Sequence, residues 1–336
     1  MPTEPGVDHS TETLVLLWAI RELGVVDALV ERAGTAAEIS AETDLSPGDA
    51  ERLLTVCSDL GFVHPVDGEY ELTNRALGFL AKRDLRSIGA LPHELDVIDG
   101  LIRLPDRLTD GSNGVGTERP TGEHTDSDER TERTEHTDSD ERRLRNRLGA
   151  TVATDPATVR ARVTAAVREA PSADRVLLID DGAGVYASEF VARGRAASVL
   201  TSPDVIEVSR ALCAARDVDL VACPPADAKP APLVYGVDVL SELTAEEARM
   251  TVHELARSVT PKGVIVLVEP VRDRLPERVV TALDARRLAT GGGRCHPEAA
   301  IRDWFAAADL DVTLSPIPGD SHVAIVARPE RTVLDD

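Results

Sequence analysis

The apolar, strand-like run Arg175-Val176-Leu177-Leu178-Ile179-Asp180 leads directly into Asp181-Gly182-Ala183-Gly184 and then into a helical pattern through Val191. A strand that turns through Gly-x-Gly into a helix brings bare backbone amides to the carboxyl end of a sheet, where a nucleotide can approach them. Gly182 and Gly184 supply that turn, and Asp180 and Asp181 set two carboxylates beside it. Gly-x-Gly alone is also a common plain turn, so its meaning depends on what surrounds it.

Other reactive side chains are scattered. Cys57, Cys213, Cys223 and Cys295 lie far apart with no C-x-x-C spacing, which predicts buried small hydrophobes and neither a zinc site nor a disulfide framework. His64, His93, His253, His296 and His322 show no ligand spacing, so structural roles and no metal are expected. His296 is predicted to open a helix running to Ala308, after GGGRC, a flexible stretch suited to covering a cleft.

Around the glycine turn, strand and helix signals alternate. A lead-in helix is predicted from Asp155 to about Ala170. ASVLT at 197–201, a helix from Ser202 to Ala215, DLVAC, PLVYGVDVL, a helix from Ala245 to Val259, GVIVLVEPV, DVTLSPI and SHVAIVARP follow. This order implies a mainly parallel sheet with right-handed crossovers, closed by an antiparallel pair at one edge.

The first part of the chain reads differently. Apolar residues Leu14, Leu17, Trp18, Ile20, Leu23, Val26 and Leu29 fall at helical spacing, predicting one amphipathic helix from Thr11 to Arg32. Thr35 with Glu38 forms a capping box, and Ser46-Pro47 starts a third helix that ends at Gly61. Two short strands around Asp67-Gly68 and a helix from Asn74 complete a winged helix-turn-helix pattern. Between the halves lies an acidic repeat of period 12, Glu123 to Arg142, containing His124 and His136; it has too little apolar surface to offset its ordering entropy. The expected organisation is a disordered tail (1–9), the winged-helix domain with connecting helices (10–110), a disordered acidic repeat (111–145), a Rossmann-like domain (146–330) and a tail (331–336).

Formal charge over the 336 residues is -22, and the 37 basic residues comprise 34 Arg and 3 Lys. Such a surface suits a salt-rich, halophilic cytoplasm, where charge is screened within roughly 3 Å at 1 M salt. It disfavours nucleic acid: residues 1–110 carry a net charge of -12, and the recognition-helix candidate sets Asp49, Glu51 and Asp59 against Arg52 alone. No apolar run reaches membrane-spanning length, and the opening MPTEPGVDHSTET lacks the features of a secretory signal.

LLWAIRELGVVDAL, TAAEISAETDLSPGDAERLLTVCSDLGFV and YELTNRALGFL resemble the dimerisation domain of the S-adenosylmethionine-dependent O-methyltransferases. LIDDGAGVYASEFVARG resembles their cofactor loop, and DVLSELTAEEARMTVHELARSVTPKGVIVLVEPV their fourth strand, following helix and fifth strand. The resemblance covers nearly all of the chain except the repeat. It implies a seven-stranded Rossmann-like sheet behind an α-rich winged-helix domain, a homodimer, S-adenosylmethionine as cofactor and a small-molecule hydroxyl as acceptor. Carried over residue by residue, the family's first-strand acid falls on Leu178, its first two loop glycines on Asp180 and Asp181, its ribose acid on Thr201, its adenine-facing Asp on Cys223, and its general-base histidine on Ser241. Glu242, beside Ser241, could replace the base, and Asp238 lies near the same sheet edge. The cofactor candidates are therefore Asp180, Asp181, Gly182, Gly184, Thr201, Cys223 and Asp238, and the catalytic candidates Glu242 and Ser241. Three functions follow from these readings: a working methyltransferase, a non-catalytic scaffold or ligand sensor on the same fold, and a winged-helix regulator of transcription.

Overall fold

The structure, a computed structural model, describes residues 10–31, 34–74, 76, 85–109 and 126–330. Ser10 accepts the amide of Thr13 and starts α1 (Thr11–Glu22), which buries Leu17 and Ile20. The single helix expected to Arg32 is two helices. Gly24 takes φ 71°, a left-handed conformation open to glycine at no steric cost, so α1 ends at a cap on Leu23 and α2 (Val25–Glu31) restarts beyond it.

The capping box of α3 (Ala36–Glu42) forms as expected: Thr35 N–H donates to Glu38, and Glu38 N–H to Thr35. Ser46 and Pro47 start α4 (Pro47–Asp59). The hairpin of β1 (Val63–Val66) and β2 (Glu69–Leu72) turns at Asp67-Gly68. The helix expected from Asn74 lies largely outside the described residues. Beyond it come α5 (Leu85–Ile88), α6 (Leu91–Ile102) and α7 (Leu104–Thr109). Leu17, Ile20, Leu29, Ile39, Leu54, Phe62 and Leu95 form one apolar core.

The expectation of disorder across 111–145 needs correction. Residues 110–125 lie outside the described set, but α8 (Asp126–Val152) is helical through most of the repeat and beyond it. Glu and Arg are good helix formers, and the end of α8 is tied down: Asn146 donates to Asp96 (2.8 Å), Arg143 to Asp99 (3.2 Å), and Leu148 is buried. The domain boundary moves with it. The chain divides into two compact units, Met1–Arg103 with Arg119–Ala153, and Leu104–Glu118 with Thr154–Asp336, so 146–153 belong with the first.

The second unit runs α9 (Pro156–Glu169), β3 (Arg175–Ile179), α10 (Val185–Ala192), β4 (Ala196–Leu200), α11 (Pro203–Ala214), β5 (Asp219–Val221), β6 (Ala231–Val237), α12 (Ala245–Ser258), β7 (Val259–Glu269), α13 (Glu277–Thr290), α14 (Glu298–Ala306), β8 (Leu310–Pro316) and β9 (Val323–Pro329). Its seven strands take the order β5-β4-β3-β6-β7-β9-β8. The first five are parallel, and β9 lies antiparallel to both of its neighbours. Side chains alternate across the sheet: Val176 and Leu178 pack in one core with Val163 and Phe190, Leu177 and Ile179 in the other with Leu255 and Phe305. The helix expected from His296 starts two residues later, at Glu298, because Pro297 serves as its cap. Helix α13 is not expected from periodicity, since apolar and charged residues of ERVVTALDARRLAT are spread around it without a stripe. No helix among the described residues is long and apolar enough to cross a membrane.

Candidate active site

Strands β4 and β6 leave β3 on opposite sides, so the sheet's topological switch point lies between β3 and β6, where α/β sheets place their ligands. Both strands end in an aspartate with left-handed backbone, Asp180 (φ 58° at its counterpart Asp238, 55° here). Asp tolerates this conformation better than most residues, and such turns re-aim the chain at functional edges.

Asp180 faces solvent. Its amide donates to Leu200 O (2.9 Å), which stitches the turn to β4, and its Oδ1 accepts the Thr201 hydroxyl at 3.2 Å. Thr201 follows β4 and Cys223 follows β5, so Asp180, Thr201 and Cys223 lie along one edge, with Cys223 packed partly against the apolar core. Asp181 points inward. Its two oxygens accept the amides of Val185 (3.0 Å) and Ala187 (2.7 Å) at the start of α10, so it caps the helix that follows the glycine turn. Burial pushes its carboxyl up to about 7 against the opposing pull of these amides. Gly184 N–H closes the loop on Asp181 O (2.8 Å), and Gly182 O faces the Cys213 thiol.

At the end of β6 the remaining candidates meet residues that the sequence reading does not single out. Ser241 is buried; its hydroxyl accepts from Arg287 Nη2 (2.8 Å) and lies 3.3 Å from Asp238 Oδ1. Asp238 Oδ1 also receives Arg287 Nη2 (3.3 Å) and sits 3.1 Å from His322 Nε2. His322 in turn pairs with Asp320 (3.2 Å), which is gripped on both oxygens by Arg162 (2.6 and 3.1 Å), and Arg162 donates to the Tyr186 hydroxyl (3.1 Å). Burial alone would lower the His322 pKa, but its bonds to the two carboxylates prevail and raise it to about 9, so the ring is a cation at neutral pH. Asp238 is held below the usual carboxylate range: burial opposes this, but the His322 bond and charge, with Arg287, outweigh it.

Glu269, at the end of β7, accepts the amides of Leu240 (2.9 Å) and Ser241 (3.1 Å) and fixes the turn; burial and the nearby Asp238 charge raise it to about 7. Gly293, at φ 82°, lies flat on the same turn, where a Cβ would overlap the backbone of Ser241 and Glu242. The glycine-rich stretch therefore closes over the position that the resemblance gives to the general base. Glu242 stays solvent-exposed, with Oε1 4.0 Å from Arg287 Nε. His296 is buried, bonded to Leu240 O (3.0 Å) and edge-on to Trp304. Among the described residues no cluster of His, Cys, Asp and Glu is arranged to hold a metal ion.

Arg287, His322, Asp320 and Arg162 come together only through tertiary structure. The only signal for His322 and Asp320 is the polar turn joining the two closing strands, which lies beside the carboxyl end of β7; none marked Arg287.

The strand order and the glycine turn define a Rossmann-like methyltransferase fold. Residues 9–82 match the O-methyltransferase dimerisation domain. The fold is similar along nearly its whole length to three solved structures. One is PigF with SAH (18% identity, 94% of this chain and 95% of that chain, TM-score 0.66). A second is human N-acetylserotonin methyltransferase in complex with SAM (18%, 97% and 100%, 0.64). The third is an O-methyltransferase family protein from Burkholderia thailandensis (21%, 96% and 98%, 0.62). No curated protein matches the chain in sequence.

Proposed function

We propose that this chain is an S-adenosylmethionine-dependent methyltransferase of the small-molecule O-methyltransferase type, working as a homodimer through its N-terminal domain. The observation that carries the reading is the Asp180–Thr201 contact. The family's ribose acid is missing from the end of β4, but a solvent-facing carboxylate from the end of β3 reaches the same edge. A nucleoside's hydroxyls would find Asp180 and Thr201 there, and its base the apolar side of Cys223. Charge-assisted bonds of this kind contribute roughly 1.5–3 kcal/mol. Asp181, engaged with the α10 amides, supports the loop from below.

When bound, the cofactor supplies a methyl group on a sulfonium centre. The chain's part is to align an acceptor with that methyl. Ser241 is closed off and bonded, Asp238 is held ionised among cations, and His322 is itself a cation. Buried His296 is bonded to the Leu240 and Leu243 carbonyls, Glu269 holds the Leu240 and Ser241 amides, and Glu242 stands on the solvent side. The free cysteines fit a reducing cytoplasm, and the acidic surface a salt-rich one.

Calorimetry with S-adenosylhomocysteine in molar KCl tests the reading. Saturable binding at micromolar to submillimolar ligand is expected; no heat at millimolar ligand on folded protein would remove the enzyme and leave the non-catalytic scaffold. Unfolding on dilution of salt is expected alongside, and full stability in dilute buffer would refute the salt-rich host.

A further inference from the structure

The C-terminal end of α11 is closed by two backbone bonds: Asp217 N–H donates to Ala214 O (3.3 Å) and Val218 N–H to Cys213 O (3.0 Å). This pair of bonds makes a Schellman turn, and Asp217 takes the left-handed conformation the turn requires (φ 58°). The closure fixes the placement of Cys213, Arg216 and Val218, and all three rest on the glycine turn between β3 and α10. The Cys213 thiol lies 3.9 Å from Gly182 O, and Arg216 Nη1 donates to Ala183 O (3.0 Å). A Cβ on Gly184 would come within 2.9 Å of Cys213 Sγ and 3.8 Å of Val218 Cγ1. A cation at a helix C-terminus is also favoured by the helix dipole, so Arg216 is well placed for this contact.

Of these contacts the Arg216 bond is the strongly directional one. A trans peptide sets its N–H opposite its C=O, so the carbonyls held against α11 turn the amide of Ala183 away from that helix. Gly184 N–H is used inside the turn on Asp181 O, whereas the amides of Gly182 and Ala183 have no acceptor among the described residues. They are the bare backbone that the methyl-transfer reading offers to a cofactor. Two aspartates stand where the resemblance expects glycines, and the turn is held from both sides: Asp181 ties it to α10, and Arg216 ties it to α11. Burial pushes the Asp181 carboxyl up, and the Arg216 charge is among the influences that oppose this, favouring the ionised form that caps α10.

We propose that Arg216 is a positioning residue for cofactor binding: through its bond to Ala183 O it holds the glycine turn in the orientation that leaves the Gly182 and Ala183 amides to the cofactor. This rests on the methyl-transfer reading. Arg216 acts through the backbone of the turn and has no contact of its own with the ligand.

The test is calorimetry with S-adenosylhomocysteine in molar KCl on full-length wild type, Arg216→Met and Arg216→Lys, with amide hydrogen exchange measured on the same samples. Arg216→Met is expected to weaken S-adenosylhomocysteine about tenfold. It is also expected to speed exchange of the Gly184 amide about fivefold or more while the amides of β7 keep their wild-type rates. Arg216→Lys keeps a donor for Ala183 O and is expected to bind within about threefold of wild type, with most of the Gly184 protection restored. Should Arg216→Met fail to fold, Arg216→Gln, which is polar but too short to reach Ala183, takes its place with the same expectation. Unchanged affinity in a folded Arg216→Met, or equal losses in the Met and Lys variants, overturns the proposal and leaves the methyl-transfer reading standing. So does a loss of affinity that comes with faster exchange throughout the sheet, which would mark general loosening of the fold. If wild type itself binds no S-adenosylhomocysteine, the methyl-transfer reading falls. The exchange arm then still decides whether Arg216 holds the turn: faster Gly184 exchange in Arg216→Met supports it, and equal rates refute it.

Discussion

The Asp180 carboxylate accepts the Thr201 hydroxyl at 3.2 Å, joining the ends of β3 and β4 where the resemblance places a ribose-binding acid. A carboxylate has in effect been moved from one strand end to its neighbour. Asp180→Asn should therefore weaken S-adenosylhomocysteine by about tenfold, and adding Thr201→Asp should recover most of the loss by returning the acid to β4. Calorimetry on the single and double variants checks this. Full affinity in Asp180→Asn would exclude the residue from the nucleoside site.

Asp181 should behave in the opposite way. Its oxygens hold two amides of α10, so Asp181→Ala is expected to lower stability by about 1–2 kcal/mol in denaturant unfolding and to change nucleoside affinity less than about threefold. A large affinity loss in a variant of unchanged stability would reverse the assignment of these two neighbours.

His322 carries a pH signature. Its folded-state pKa, about 9, lies above the ordinary value of 6.5, so its stabilising contribution is fully present below about pH 6.5 and is lost as pH rises through 9. The full effect is of order 3 kcal/mol. Unfolding of wild type and His322→Gln at pH 6, 7.5 and 9.5 should show a gap that is widest at pH 6 and nearly closed at 9.5. A gap that grows with pH would mean that the ring is neutral in the fold.

Gly293→Ala should be poorly tolerated, because the position combines φ 82° with contact against the Ser241–Glu242 backbone. A loss of about 2 kcal/mol or more is expected, together with faster trypsin cleavage after Arg294 as the stretch is displaced. An unchanged melting temperature and cleavage rate would show that the loop does not rest on this turn.

The strands of the second unit were legible because buried parallel strands are continuous apolar runs between turn residues, and RVLLI and GVIVLVE are of that kind. Capping residues marked the starts of α3 and α4. The break at Gly24 was hidden by apolar spacing that continues across it, and α13 by the lack of any stripe. The site was half legible: Asp180, Ser241 and Glu242 could be placed from neighbouring motifs. Asp181's inward turn could not, since two adjacent aspartates read alike until the backbone sends them to opposite sides. Arg287 and His322 are separated by 35 positions and meet only at Asp238.

The tether of α8 has a consequence for how this chain can vary. Asn146 and Arg143 fix its end to Asp96 and Asp99, downstream of the period-12 repeat. Gain or loss of one twelve-residue period would lengthen or shorten a helix by about 18 Å upstream of that anchor. The anchor and everything after it would stay in place, so the duplication can drift in copy number without disturbing the domain that follows.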